Sequence, residues 1–362
     1  MQTRRALLRT FASIVALGGS GAAYAAWRGS RNPYYAGPVS DHFDGLRFFN
    51  PGGRQNNDAL ATLRWYATRK RQPWPDVDPV KRPTDTPPRR VEGEALRVAF
   101  IGHASLLVQT CGLNILFDPV WSERASPFSF AGPKRVNPPG VNFADLPPID
   151  VVIVSHNHYD HMDLATLSAL HERFAPRVIT PLGNDAVMRA ADARLKVETL
   201  DWSQSADLSA AARLHLAPTH HWSARGLLDR RMALWATFVL QAPGGDVLLV
   251  GDSGFHEGIY YRAIAQTFPR LRLAYLPIGA YEPAWFMSAQ HQNPDEATRA
   301  HLILKPAQSL AHHWGTFPLA DEGMRTPVEA LEVALKTHGV SPQTFRWLEP
   351  GGVWDVPPLA AA

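Results

Sequence analysis

Residues 155 to 163 read Ser-His-Asn-His-Tyr-Asp-His-Met-Asp, which places three histidines and two aspartates in nine positions. They follow directly on the apolar run Val151-Val152-Ile153-Val154. Imidazole and carboxylate are the donors zinc accepts when thiolates are absent. Cys111 is the only cysteine, which excludes an intrachain disulfide and a thiolate zinc cluster. Along an extended loop His156 and His158 point the same way, and Asp160 and His161 follow as the chain turns into a helix. Four ligand-type side chains then face one small volume. A single open catalytic site needs fewer from one loop, so the pattern points to two metals.

Further donors fall at the ends of other predicted strands, where loops gather along one sheet edge. Leu214 to Pro218 leads to His220-His221, Val247 to Val250 ends in Gly251-Asp252-Ser253-Gly254, and Ser309 to Ala311 ends in His312-His313-Trp314-Gly315. Taken singly, each has a plain alternative: a histidine at a strand end is usually a satisfied core or surface residue, and Gly-Asp-Ser-Gly is usually a turn. Together with the four-ligand loop they read as the remainder of one site.

Rigid elements must stand behind these groups. Leu96 to Ile101, Ser105 to Gln109 and Leu113 to Phe117 read as three short strands broken by Gly102-His103 and Cys111-Gly112. A Pro/Gly-rich loop runs from Ser126 to Pro148, and an amphipathic helix is predicted over Asp163 to Phe174. Strand and helix signals then alternate through Val178 to Thr180, Asn184 to Ala191, Lys196 to Leu200, Arg213 to Leu216, Ala233 to Gln241 and Asp246 to Val250. Helical patterns return at Gly258 to Phe268, Pro294 to Leu304 and Pro327 to His338, with strands at Leu271 to Pro277 and Gln308 to His312. Mixed sheets covered by helices are the natural outcome.

The 362 residues are 45% hydrophobic, enough for a substantial core. Arg4, Arg5 and Arg9 precede the apolar stretch Phe11 to Ala26, with Ala23-Tyr24-Ala25 as a small-x-small cleavage site. Residues 1 to 27 thus read as an export leader of twin-arginine character or a membrane anchor, a buried helix being the third reading. The protein is then expected to be exported, periplasmic or membrane-associated. Without those three arginines, the 36 basic residues fall to 33, equal to the 33 acidic ones. Residues 28 to 95 form a basic extension rich in proline and aromatics, with one short helix signalled by Leu60, Leu63, Trp65 and Tyr66. A hydrolase domain is expected over residues 96 to 350 and a tail over 351 to 362. Nothing has the basic density of a nucleic-acid patch.

The H-x-H-x-D-H pattern, with His, Asp and His at later strand ends, resembles the metallo-β-lactamase superfamily. Longer stretches narrow the likeness: Gly102-His103-Ala104-Ser105, Gly132-Pro133-Lys134-Arg135, Leu146-Pro147-Pro148-Ile149-Asp150, the Ser155 to His161 run, His221-Trp222, Pro277 to Pro283 with Trp285-Phe286-Met287, and His313 to Phe317. These closely resemble the N-acylphosphatidylethanolamine-hydrolysing phospholipase D family from about Leu46 to about Gly339. The resemblance implies an α/β fold, an αββα sandwich of two mixed sheets flanked by helices. It implies two zinc ions, one held by His156, His158 and His221, the other by Asp160, His161 and His313, with Asp252 bridging. The implied reaction is hydrolysis of N-acylphosphatidylethanolamine to N-acylethanolamine and phosphatidic acid, by attack of a zinc-bound hydroxide on phosphorus.

By motif position, Tyr159 and His291 are expected to contact the phosphate or head group. The alternatives are a ring packed under the metal loop for Tyr159 and a capping or surface role for His291. Asp118 joins Asp160 and Asp252 among the catalytic carboxylates, as the group that accepts a ligand imidazole N–H; a turn carboxylate is its alternative. The stretch from Leu63 to Pro75 interleaves Trp65, Tyr66 and Trp74 with Arg64, Arg69, Lys70 and Arg71. That composition suits peripheral contact with an anionic membrane or, equally, an extension packed on the core. Trp285, Phe286 and Met287 read as an acyl groove or as core. The resemblance also implies a homodimer. The segment from Ser223 to Arg231 keeps Arg225, Leu227 and Asp229 but otherwise departs from the family, and Ser253 stands where relatives have Thr. These departures leave two other readings open: hydrolysis of another phosphodiester or a lactone, or lipid binding without turnover.

Overall fold

The computed structural model describes residues 31–52 and 59–359. The leader expected over residues 1 to 27 lies outside them. Helix α1 (Ala59–Thr68) precedes β1 (Leu96–Gly102), β2 (Ser105–Thr110), β3 (Leu113–Phe117) and β4 (Val151–Ile153). Helix α2 (Leu164–Phe174), β5 (Arg177–Pro181), α3 (Asn184–Ala191) and β6 (Val197–Leu200) complete the first half. The second half runs β7 (Ser205–Asp207), β8 (Arg213–Ala217), β9 (Thr237–Gln241), β10 (Asp246–Leu249), α4 (Ile259–Thr267), β11 (Leu271–Pro277), α5 (Ala284–Met287), α6 (Pro294–Leu304), β12 (Gln308–His312), α7 (Thr326–His338) and β13 (Phe345–Trp347). The chain closes with β14 (Val353–Val356).

Two seven-stranded sheets form, in the orders β14-β1-β2-β3-β4-β5-β6 and β13-β12-β11-β10-β9-β8-β7. Each is antiparallel on one side and parallel on the other, the change falling at β3 in the first sheet and at β10 in the second. The reason lies in residue alternation, since successive side chains of a strand face opposite sides. In β1, Val98 and Phe100 enter the core between the sheets while Ala99 and Ile101 face outward. Those outward residues are covered by Leu167 and Leu170 of α2 and Met188 of α3. In β11, Leu273 and Tyr275 point inward, and Ala274 and Leu276 pack under Ile264, Ala297 and Leu331 of α4, α6 and α7. Strands buried on both faces read as continuous apolar runs. The four-layer α/β sandwich expected from the sequence is the one observed.

Several expected elements shift. The strand expected over Ala233 to Gln241 begins only at Thr237. Upstream, Leu234 N donates to Leu182 O and Ala236 N to Ser155 O, so these backbone groups tie loops together instead of entering a ladder. The segment assigned to a tail after residue 350 contains β14, whose residues pair with Leu96 to Ala99 at the sheet edge. The helix in the basic extension is present as α1. Its Trp65 is buried and stacks on Phe286 with centroids 4.9 Å apart, whereas Leu60, Leu63 and Tyr66 are exposed. Trp74 also points inward, donating its indole N–H to Glu322 O at 2.9 Å. Arg69 pairs with Asp321, Arg82 with Glu349 and Arg90 with Asp150, so part of the extension's positive excess meets acids of the body. Among the described residues no helix is long and apolar enough to cross a membrane.

Phe117 is fully buried between the sheets, edge-on to Phe238 and Tyr275. Phe117→Ala is expected to lower stability by about 3–5 kcal/mol. Urea unfolding measures it, and a loss below about 1 kcal/mol would show that the two sheets close over the gap.

Candidate metal centre

The C-terminal ends of β1, β3, β4, β8, β10 and β12 lie along one edge of the sandwich, and every donor picked from the sequence follows one of them. Close approach of β10 to the loop after β4 requires Gly251, where a Cβ would stand 2.6 Å from that of Ser155. Three non-glycine residues at this edge, His103, Asp118 and His313, adopt left-handed φ values of 56°, 41° and 64°. Such strain costs about 1 kcal/mol or more per residue and persists only where the surroundings enforce it.

The hydrogen bonds behind the histidines decide which nitrogen faces forward. Ser155 Oγ donates to Asp118 Oδ2 at 2.6 Å and lies 2.9 Å from His156 Nδ1. With its hydrogen committed, that oxygen accepts from Nδ1–H, which leaves the lone pair on His156 Nε2. His161 Nδ1 donates to Asp118 Oδ2 at 2.7 Å, and His221 Nδ1 donates to Gln290 O at 2.9 Å. Their Nε2 atoms therefore also face forward. His158 turns Nδ1 inward, 2.8 Å from His156 Nε2 and 3.2 Å from His221 Nε2.

Asp252 joins two groups of donors. Its Oδ2 is 3.5 Å from His221 Nε2 and 3.2 Å from His161 Nε2, and its Oδ1 is 3.0 Å from His313 Nε2. Asp160 Oδ2 stands 3.4 Å from His161 Nε2 and 3.3 Å from His313 Nε2 and accepts His103 Nε2–H at 2.9 Å. In each of two groups, His156, His158, His221 with Asp252 and His103, Asp160, His161 with His313, one donor atom per residue lies within 4.8 Å of the others.

The chemistry of these groups fits cations. His161 Nε2, His313 Nε2 and Asp252 Oδ1 are buried without a partner of hydrogen-bonding geometry among the described residues. Burial, aided by neighbouring imidazoles, pushes His158 and His221 down to about 3 and His156 well below its ordinary value. These three rings are neutral, as ligands must be. For Asp160 and Asp252 burial acts upward, yet the surrounding histidines hold both well below the usual carboxylate range. Burial acts downward on His313 and His161, but Asp252 and the other carboxylates lift the first to about 9 and the second well above normal. In the second group the carboxylates thus favour positive charge, which a divalent cation would supply.

Above the two groups opens a cavity of about 730 Å³. His158, Asp160, Asp252 and His291 reach its floor, and Trp65, Phe286 and Met287 contribute apolar wall. His291 Nδ1 is 3.9 Å from Asp252 Oδ2 and buried without a hydrogen-bond partner among the described residues. Tyr159 lines the cavity, but its hydroxyl donates to Arg225 O at 2.9 Å, so packing under the loop describes it in part. Asp118 stands behind the ligands, fully buried, and acts on them through Ser155 and His161. It is not among the residues that line the cavity. His103, Ser155 and Gln290 belong to the site and were not singled out from the sequence as functional. Gly102-His103 at a strand end was the one available signal for the first; the other two act through a serine oxygen and a backbone carbonyl, which leave no signature.

Residues 113–314 match the model of the beta-lactamase superfamily domain. The chain is 33% identical over 271 residues to N-acyl-phosphatidylethanolamine-hydrolyzing phospholipase D 1 of Caenorhabditis elegans, covering 72% of this chain and 76% of the relative. It is 37% identical over 256 residues to an uncharacterized protein of Mycobacterium tuberculosis, covering 70% of this chain and 67% of the relative. Among solved structures, a metallo hydrolase of the hyperthermophilic archaeon Ignicoccus hospitalis superposes with a TM-score of 0.54 at 18% identity, covering 72% of this chain and 97% of that one. That likeness concerns the fold.

Asp118→Asn removes the charge that holds His161 while keeping the side chain's size. Zinc affinity of the metal-free protein, followed by titration calorimetry, is expected to fall about 10–100-fold with an unchanged far-UV circular dichroism spectrum. Unaltered affinity would remove Asp118 from the ligand framework.

Proposed function

Because the chain belongs to the beta-lactamase superfamily and, within it, to the N-acyl-phosphatidylethanolamine-hydrolyzing phospholipase D family, a family of metal-dependent hydrolases, we propose that it is a dizinc phosphodiesterase acting on N-acylphosphatidylethanolamine. The observation that carries this reading is the pair of donor groups at the floor of a largely apolar cavity, with Asp252 standing between His221 of one and His161 and His313 of the other. His156, His158 and His221 would hold one ion, Asp160, His161 and His313 the other, and Asp252 both. Bound there, two divalent ions supply Lewis acidity toward a phosphoryl oxygen and an acidified water.

The chain's own groups do the rest. His291, kept neutral by burial at about 3, offers a ring N–H at the cavity floor, suited to a phosphoryl oxygen. The walls of Trp65, Phe286 and Met287 exclude water and accept acyl chain. Among the described residues, the charged side chains that line the cavity are Asp160 and Asp252, both committed as ligands, and Arg225 and Arg230. None offers a free carboxylate to an ammonium, which suits a head group whose nitrogen is an uncharged amide. Around the mouth, Tyr66, Phe128 and Leu227 are exposed, with Leu227 wholly so. Apolar side chains next to arginines fit peripheral contact with an anionic lipid surface.

Purified protein is expected to carry two zinc ions per chain and to release N-acylethanolamine and phosphatidic acid from N-acylphosphatidylethanolamine in mixed micelles, read by mass spectrometry. Chelation should abolish turnover and zinc restore it; His156→Ala and Asp252→Asn should lose both metal and activity. Two zinc ions without those products would reject the substrate and keep the hydrolase site, turning attention to other phosphodiesters.

A further inference from the structure

We propose that Arg225 is a positioning residue that holds the His156-His158 turn at ligand distance from His221 and thereby sets the cation affinity of that cluster. The proposal rests on the reading that the two donor groups hold two cations.

His221 and the turn belong to different halves of the chain, so something must fix the gap between them. Arg225 lies four positions after His221. Its Nη1 donates to Asn157 O at 3.1 Å and to Met162 O at 2.8 Å. Those carbonyls bracket His158, Asp160 and His161, so one guanidinium nitrogen ties both ends of the ligand turn. The guanidinium also lies 3.6 Å from the centre of the Tyr159 ring, and the Tyr159 hydroxyl donates back to Arg225 O at 2.9 Å. The turn is gripped by the side chain and the backbone of the same residue.

Arg225 is itself anchored. Its N–H donates to Asp229 Oδ2 at 3.1 Å, Gly226 N donates to Asp229 Oδ1 at 2.8 Å, and Tyr34 Oη donates to Asp229 Oδ2 at 2.7 Å. The neighbouring loop closes through Arg231 N to Ser223 O at 2.7 Å. The other donor group has separate supports: Asp118 for His161, His103 for Asp160, and a bond from His313 N to His103 O at 2.9 Å. Asp160 and His161 lie in the same bracketed turn but have these further anchors, so a disturbance at Arg225 should weigh most on the His156, His158 and His221 group. Lysine keeps the charge but not the planar fork that can lie on a ring while donating in its plane.

The experiment titrates zinc into the metal-free full chain in two backgrounds. His313→Ala leaves the His156, His158 and His221 group, and His221→Ala leaves the Asp160, His161 and His313 side. Adding Arg225→Lys is expected to weaken binding about tenfold or more in the first background and by clearly less in the second. Tyr159→Phe, which removes one hydroxyl, should shift affinity in the same direction by less, and it serves if the lysine variant fails to fold. Equal losses in both backgrounds would show a general structural role and overturn the proposal, as would no loss in either. Wild-type protein that binds fewer than two ions would instead overturn the two-cation reading on which it rests.

Discussion

Gathering two carboxylates and a ring of imidazoles away from water is costly unless fixed partners meet their charges and ring N–H groups. That constraint explains the arrangement around Asp118. Its carboxylate takes Ser155 N, Ser155 Oγ and His161 Nδ1, and through the serine it orients His156. Burial pushes Asp118 upward, but His161 and Ser155 oppose that shift and stabilise the ionised form. One residue at the end of β3 thus determines the forward face of a ligand in each donor group.

The sandwich exists, for this purpose, to bring strand ends from both sheets to that point. Core side chains between the sheets lock the register of β1, β3, β4, β10 and β12, and each register places one donor. Interior packing tolerates little slack, so a donor cannot drift without moving a buried strand. The extension then completes what the sheets leave open. Asn50 accepts His221 N–H at 3.2 Å and donates to Thr219 O at 2.7 Å, steadying the ligand loop from outside the sheets. Trp65 on Phe286 walls the cavity. Part of the extension's positive excess is matched by Asp150, Asp321 and Glu349, which fastens the extension to the body.

Some elements were legible because their signals are local. Helix α6 begins at Pro294 with Asn293 and Glu296 forming a reciprocal capping box, and its boundaries match the periodic pattern. Strands β11 and β12 match as well, being apolar runs closed by proline and histidine. Illegible elements depend on distant partners. The four residues of β14 form a strand only because β1 offers an edge more than 250 positions earlier, and Ala233 to Ala236 fail to form one because Leu182 and Ser155 claim their amides. Trp65 and Trp74 carry the composition of a membrane-facing segment, yet both find protein partners.

By itself, the sequence determined the donor set: the spacing of His156, His158, Asp160 and His161 is a property of one loop, and imidazole with carboxylate in the absence of thiolate restricts the chemistry before any folding is considered. Alternation and apolar runs, written residue by residue, also signalled mixed sheets covered by helices, and the family resemblance of the motifs implied their stacking as a four-layer sandwich. Only the tertiary structure decided which nitrogen of each histidine faces the centre, that Asp118 works from behind, that His103 holds Asp160, and that Arg225 bridges the ligand loops. Those outcomes rest on hydrogen bonds and packing between segments far apart in the chain. No local pattern encodes them, because each partner acquires its role only when the sheets bring it within reach.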